Sequence, residues 1–168
     1  MCTPCGRFER RLMNWQEVCD DKSLQNLPYK IELDQWGRIV MSPANNRHGR
    51  RQSRINNLLE KLLNSGEAIT ECSIDTPLGT KVADVAWASD AFIQKHGYDT
   101  PYPVAPEICV EVKSLSNTGP EIAEKITLYL AKGAHEVWIC GADGNMSFHD
   151  HTGKLAQSKL AVEFPAVI

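Results

Sequence analysis

The chain has 168 residues, 42% apolar and 23% charged, enough of each for a packed core and a soluble surface. That excludes a disordered tail and a disulfide-stapled mini-protein, and a chain of this length needs no metal or bridge to fold. The net charge of −3, from 18 basic and 21 acidic residues, does not by itself announce a nucleic-acid partner.

Residues 1–28 read as a polar N-terminal extension with a basic cluster (Arg7, Arg10, Arg11) and a short helix around Phe8–Cys19. Cys2 and Cys5 form a Cys-x-x-Cys that lacks the two further ligands a zinc site needs, so zinc and redox roles stay as minor alternatives. Cys109 and Cys140 sit in apolar runs, where a free thiol behaves as a small hydrophobe. No leader-like apolar segment opens the chain and no run approaches a membrane span, so a cytoplasmic protein with reduced thiols is expected.

Residues 29–168 read as one domain. Tyr29–Leu33 and Arg38–Ser42 alternate like strands around the turn Asp34-Gln35-Trp36-Gly37, which predicts a hairpin. A helix follows, capped by Asn45 or Asn46, with Ile55, Leu58, Leu59, Leu62 and Leu63 on one face and Gly66 near its end. Strands are expected over Ala68–Thr76, Lys81–Ala88 and Pro106–Val112. The first two are joined by Pro77-Leu78-Gly79. The insertion before the third carries Pro101, Pro103 and Pro106 and is a candidate lid. A second helix over about Pro120–Lys132, a strand His135–Cys140 and a hairpin around Ala142–Asn145 complete an α/β fold with a mixed sheet.

Two of these strands carry charge where a doubly covered strand should not. Ile108-Cys109-Val110-Glu111-Val112 is apolar apart from Glu111, and Lys113 lies two residues on, where strand period predicts the same face. Val82–Trp87 embeds Asp84 in the same way. A structural Glu–Lys pair at a strand end would account for Glu111 and Lys113 alone. Adding Asp84 brings two carboxylates together, and a divalent cation relieves their repulsion. Oxygen ligands point to magnesium or manganese. With Lys113 to position a water and stabilise the transition state, the set suits metal-assisted phosphodiester hydrolysis.

Two helical stripes bear on that chemistry. Arg47, Arg50, Arg51 and Arg54 flank the apolar face of the first helix and oppose its dipole, which DNA phosphates would explain as well as a solvated basic face. His48 sits beside them, as either a substrate contact or a local cap, and Glu60 and Glu71 are weaker ligand candidates. Glu121, Lys125 and Tyr129 share a stripe on the second helix, either as a surface pair or aimed at the carboxylates.

An Asp on one strand, Glu-x-Lys on the next, then a helix and another strand resembles the PD-(D/E)XK nuclease superfamily. Within it the chain resembles the Uma-type family, described as putative restriction endonucleases. The likeness runs from about Tyr29 to Lys159. It takes in Arg47-His48-Gly49, Val82-Ala83-Asp84, Glu111-Val112-Lys113-Ser114 with Ser116, then Glu121, Glu124-Lys125 and Tyr129, and Glu136-Val137-Trp138-Ile139. Ala83 and Leu115 stand where the family commonly has proline. Many members have an apolar residue at the position of Lys113, and the lysine matching Lys125 then takes over; this chain has both.

The resemblance implies a restriction-endonuclease-like core: a mixed sheet flanked by two helices, with the N-terminal hairpin added. It also implies a Mg2+- (or Mn2+-) dependent endonuclease acting on DNA, with Asp84 and Glu111 as ligands and Lys113 or Lys125 as the lysine. A homodimer would suit cleavage of two strands. The competing expectation is a catalytically idle nuclease-like module that binds nucleic acid or protein.

Overall fold

The structure is a computed structural model and describes residues 12–168. The Cys2–Cys5 pair and the Arg7, Arg10, Arg11 cluster lie outside the described residues. Of the helix expected over Phe8–Cys19, the described part is α1 (Trp15–Asp20). It starts at Trp15 because Asn14 and Glu17 form a reciprocal capping box. A 3-10 turn (Lys22–Leu24) leads into the hairpin of β1 (Tyr29–Leu33) and β2 (Ile39–Pro43), paired antiparallel with Ile31 opposite Met41. The Asp34 carboxylate accepts the Trp36 and Arg38 amides and closes the turn.

Next come α2 (Asn46–Leu62), β3 (Glu67–Thr76), β4 (Gly79–Ala88), α3 (Asp90–His96) and β5 (Ile108–Val112). They are followed by α4 (Gly119–Ala131), β6 (Glu136–Cys140), β7 (Met146–Asp150) and β8 (Gly153–Leu155). Strands β3 to β8 form a six-stranded sheet in chain order. Only β5 and β6 run parallel, because α4 carries the chain back across the sheet between them. The remaining neighbours are antiparallel, so the sheet is mixed, as expected.

The sheet is covered on both faces. Ile55 and Leu59 of α2 pack with Val85, Ile108, Val110, Trp138 and Phe148. On the other face Tyr129, Ile122 and Ile126 of α4 pack with Cys72, Ala86, Cys109 and Val137. Asn45 caps α2 by accepting the His48 amide, and Thr118 and Glu121 form a second capping box at α4. Among the described residues no helix is long and apolar enough to cross a membrane.

One segment departs from expectation. The proline-bearing insertion is not a lid. It holds α3, capped by Ser89, and then pairs along β3: the Tyr102 amide donates to the Ser73 carbonyl and the Asp75 amide to Tyr102. Phe92 packs edge-on against Tyr102, which holds the insertion at that sheet edge. The hairpin, by contrast, lies across β4. At Gly79 (φ +91°) a Cβ would collide with the Leu33 and Asp34 carbonyls, so glycine lets the β3–β4 turn meet the end of β1.

Candidate active site

The crevice arises from an interruption in strand pairing. The β4–β5 ladder ends at Val85 opposite Val110, and beyond it the two strands separate. On its other side, β3 and β4 pair at every position but Glu71 opposite Asp84, where Glu71 is left-handed (φ 53°). A non-glycine residue there costs of order 1 kcal/mol. The alternation of side chains breaks at this point, since Ala83 and Ala86, three residues apart, reach the same core cluster. Gln52 of α2 covers the break, donating to the Asp84 carbonyl at 2.8 Å and to Glu71 at 2.7 Å.

Asp84 and Glu111 face each other across the separation, only 1% and 4% exposed. Each is held by fixed donors. Asp84 Oδ2 accepts the Val112 amide at 2.6 Å, and its Oδ1 lies 3.1 Å from His48 Nε2. Glu111 Oε1 accepts the buried Tyr129 hydroxyl at 2.7 Å. Lys125 Nζ reaches both Glu111 oxygens at 3.1 Å and Glu32 at 2.8 Å. Lys30 Nζ lies between the carboxylates, 2.7 Å from Asp84 Oδ1 and 3.3 Å from Glu111 Oε2. Glu32 also accepts the Val82 amide at 2.8 Å, which ties the hairpin to β4. These groups floor a crevice of about 750 Å³ walled by Tyr29, Val40, Ser42 and Leu115.

The two carboxyls titrate differently. Burial alone would raise Asp84, but Lys30 and His48 outweigh it and hold the group well below the usual carboxylate range. Burial raises Glu111, reinforced by Asp84 and Glu32, and its two lysine neighbours only partly offset that. The hydrogen bond to Asp84 raises the His48 imidazole against the effect of burial. Glu32 is held low by Lys125 and Lys30 despite its burial.

The sign of the Glu111 shift gives a testable result. The native state binds this proton more tightly than the unfolded chain, so wild-type stability falls as pH rises from 4.5 through the raised native value. Glutamine does not titrate. The stability of Glu111→Gln relative to wild type is therefore expected to be higher at pH 8 than at pH 4.5, in urea melts at the two pH values.

The structure brings together Asp84, Glu111, Lys125 and His48, and does not bring Lys113 to them. Strand β5 ends at Val112, and period-2 geometry with it. Lys113 lines a neighbouring depression with Arg47 and Arg51 and makes no ion pair with either carboxylate. Arg47, Arg50 and Arg54 stay exposed on α2. Arg51 differs from them: its guanidinium donates to the Gly141 and Ala142 carbonyls at 3.0 and 2.7 Å and clamps α2 to the β6–β7 turn. Replacing it with Met should cost about 1–2 kcal/mol in urea melts, the yield of two such bonds, and leave the salt dependence of DNA binding unchanged. Glu60 is exposed, and Glu121 caps α4.

Lys30 and Glu32 were not singled out from the sequence. Their spacing of two on an alternating strand was the only local signal that they share a face, and it equally describes a solvated hairpin.

The site fits a divalent cation. The Lys30 ammonium is itself a positive charge held by both Asp84 and Glu111, so the two carboxylates converge on a single cation. Magnesium commonly takes one or two carboxylates and completes its shell with water. Among the described residues no group of three or more His, Cys, Asp or Glu side chains is placed to hold a metal ion, so the protein's share of the shell would be these two carboxylates. The buried thiols Cys72, Cys109 and Cys140 are free.

Comparison with known proteins agrees with this architecture. A crystal structure described as a putative nuclease from Anabaena variabilis superposes with a TM-score of 0.72 at 14% identity, covering 92% of this chain and 94% of that one. The likeness is one of fold. No curated protein matches the chain. The Uma2 family, described as "Putative restriction endonuclease", matches residues 15–156, most of the chain and all of the crevice. This chain belongs to the Uma2 family.

Proposed function

We propose that this protein is a Mg2+- or Mn2+-dependent endonuclease that hydrolyses DNA phosphodiester bonds. The observation that carries the proposal is the convergence of the buried Asp84 and Glu111 carboxylates, from adjacent strands, on the Lys30 ammonium beside Lys125. The metal supplies a water of lowered pKa and neutralises charge on the scissile phosphate.

The chain's own residues do the rest. Asp84 and Glu111 would hold the ion. The Val112 amide and His48 fix the orientation of Asp84, and Tyr129 fixes that of Glu111. Lys125, on the rigid helix α4, positions the attacking water and offsets charge that develops on the phosphate oxygens. His48, which lines the crevice, and Arg47, Arg50 and Arg54, exposed on the same helix, serve as contacts for the DNA backbone. Cutting both strands of a duplex would use a second copy of the chain.

Incubation with supercoiled and linear DNA, with and without each metal, tests this. Nicked or linear product that requires the metal is the expected outcome. A folded protein that binds DNA with a salt-dependent affinity and leaves it intact would favour a non-catalytic binding module instead.

A further inference from the structure

The oxygens of the paired carboxylates divide into two sets. Asp84 Oδ2 is taken by the Val112 amide and Glu111 Oε1 by the buried Tyr129 hydroxyl, while Lys125 reaches both Glu111 oxygens at 3.1 Å. Asp84 Oδ1, which also meets His48 Nε2 at 3.1 Å, and Glu111 Oε2, which also meets Lys125 at 3.1 Å, are the two without a backbone or fully buried donor. Those are the two that Lys30 Nζ holds, at 2.7 and 3.3 Å, with its side chain only 14% exposed. Magnesium binds oxygen at roughly 2.0–2.1 Å. The ammonium stands between the two oxygens, in the space that an ion shared by them would need.

We propose that Lys30 is a resident counter-ion that competes directly with the divalent metal, so that the metal enters only when this side chain withdraws. The proposal rests on Asp84 and Glu111 being the metal ligands. The lysine's place in the fold suits the role: it stands on β1, in the hairpin that lies across β4 and walls the crevice, and its long stem can swing without moving the strand. With Lys30 in place the charge of the buried acids is compensated. Withdrawal has a calculable consequence. The apparent metal affinity falls in proportion to the fraction of molecules whose lysine is out; if about one in ten is out, it is weakened about tenfold.

Calorimetric titration of Mn2+ into the full chain, without DNA, tests the inference independently of activity. Lys30→Met is expected to bind Mn2+ about tenfold or more tightly than wild type, and Asp84→Asn to lose binding. Lys30→Gln, which keeps an uncharged donor towards Asp84, carries the same expectation where Met is not tolerated. Lys81→Met removes an equal charge from the crevice wall without emptying the position, and should shift the affinity by less than about threefold. Equal affinity in wild type and both Lys30 variants, with binding lost in Asp84→Asn, would overturn the role of Lys30 and leave the metal site standing. A gain in Lys81→Met as large as in Lys30→Met would also overturn it, by reducing the effect to general electrostatics. Absence of Mn2+ binding in wild type and every Lys30 variant would overturn the metal site as well.

Discussion

Asp84→Asn should reduce DNA cleavage about a thousandfold or more, equivalent to roughly 4 kcal/mol in the barrier. Asparagine keeps an oxygen to accept the Val112 amide, so the strand end stays closed. The carboxylate charge is lost, and with it half of the pair that converges on one cation. Stability should change too. Asp84 is the partner of Lys30 and His48, and breaking a buried pair from one side costs roughly 3 kcal/mol.

The sign of the pH dependence follows from the depressed pKa. The stabilising contribution of Asp84 is present above the unfolded value near 3.8 and is lost as pH falls through the lower native value. The destabilisation of Asp84→Asn should therefore be full at pH 7 and shrink in strong acid. Urea melts at pH 7 and pH 3 read it directly. Equal penalties at both values would mean that Asp84 is not held below its unfolded pKa.

The second large effect separates the two lysines. Lys125→Met should lower cleavage by about 10²–10³-fold, the usual range for removing one group that stabilises transition-state charge. Lys113→Met should stay within about threefold of wild type. The contrast follows from geometry: Lys125 Nζ is 3.1 Å from both Glu111 oxygens, whereas Lys113 makes no ion pair with Glu111 or Asp84. Methionine keeps the length of either stem. Circular dichroism separates lost chemistry from lost fold, because Lys125 also neutralises Glu32. Full activity in Lys125→Met with loss in Lys113→Met would reverse the assignment.

How far the sequence revealed this site depends on the range of each interaction. Asp84 and Glu111 stood out because a carboxylate inside an apolar strand is costly, and that cost is visible in five or six consecutive residues. The order of strands and helices was visible for the same reason, through local periodicity and through caps such as Asn45 and Thr118. Lys30 and Glu32 were hidden. Their partners are 54, 81 and 93 residues away, and nothing local distinguishes a strand face turned to water from one turned to a crevice.

Lys113 illustrates the opposite error. Strand alternation was extended one residue beyond the strand, which ends at Val112. Arg51 looked equivalent to its neighbours on the stripe until the Gly141 and Ala142 carbonyls, about 90 residues on, gave it a structural task. Helix α3 was masked by the prolines downstream, although Ser89 and Asp90 carry an ordinary helix start.

The account stands or falls on whether the paired carboxylates serve metal-dependent cleavage of DNA. The most direct measurement is cleavage of supercoiled plasmid by the wild-type chain in Mg2+ or Mn2+, in EDTA, and by Asp84→Asn in the same metals. Nicked or linear product only with wild type and metal is the predicted result. Cleavage that persists in EDTA or in Asp84→Asn, or intact plasmid under every metal condition with folded protein, would contradict it.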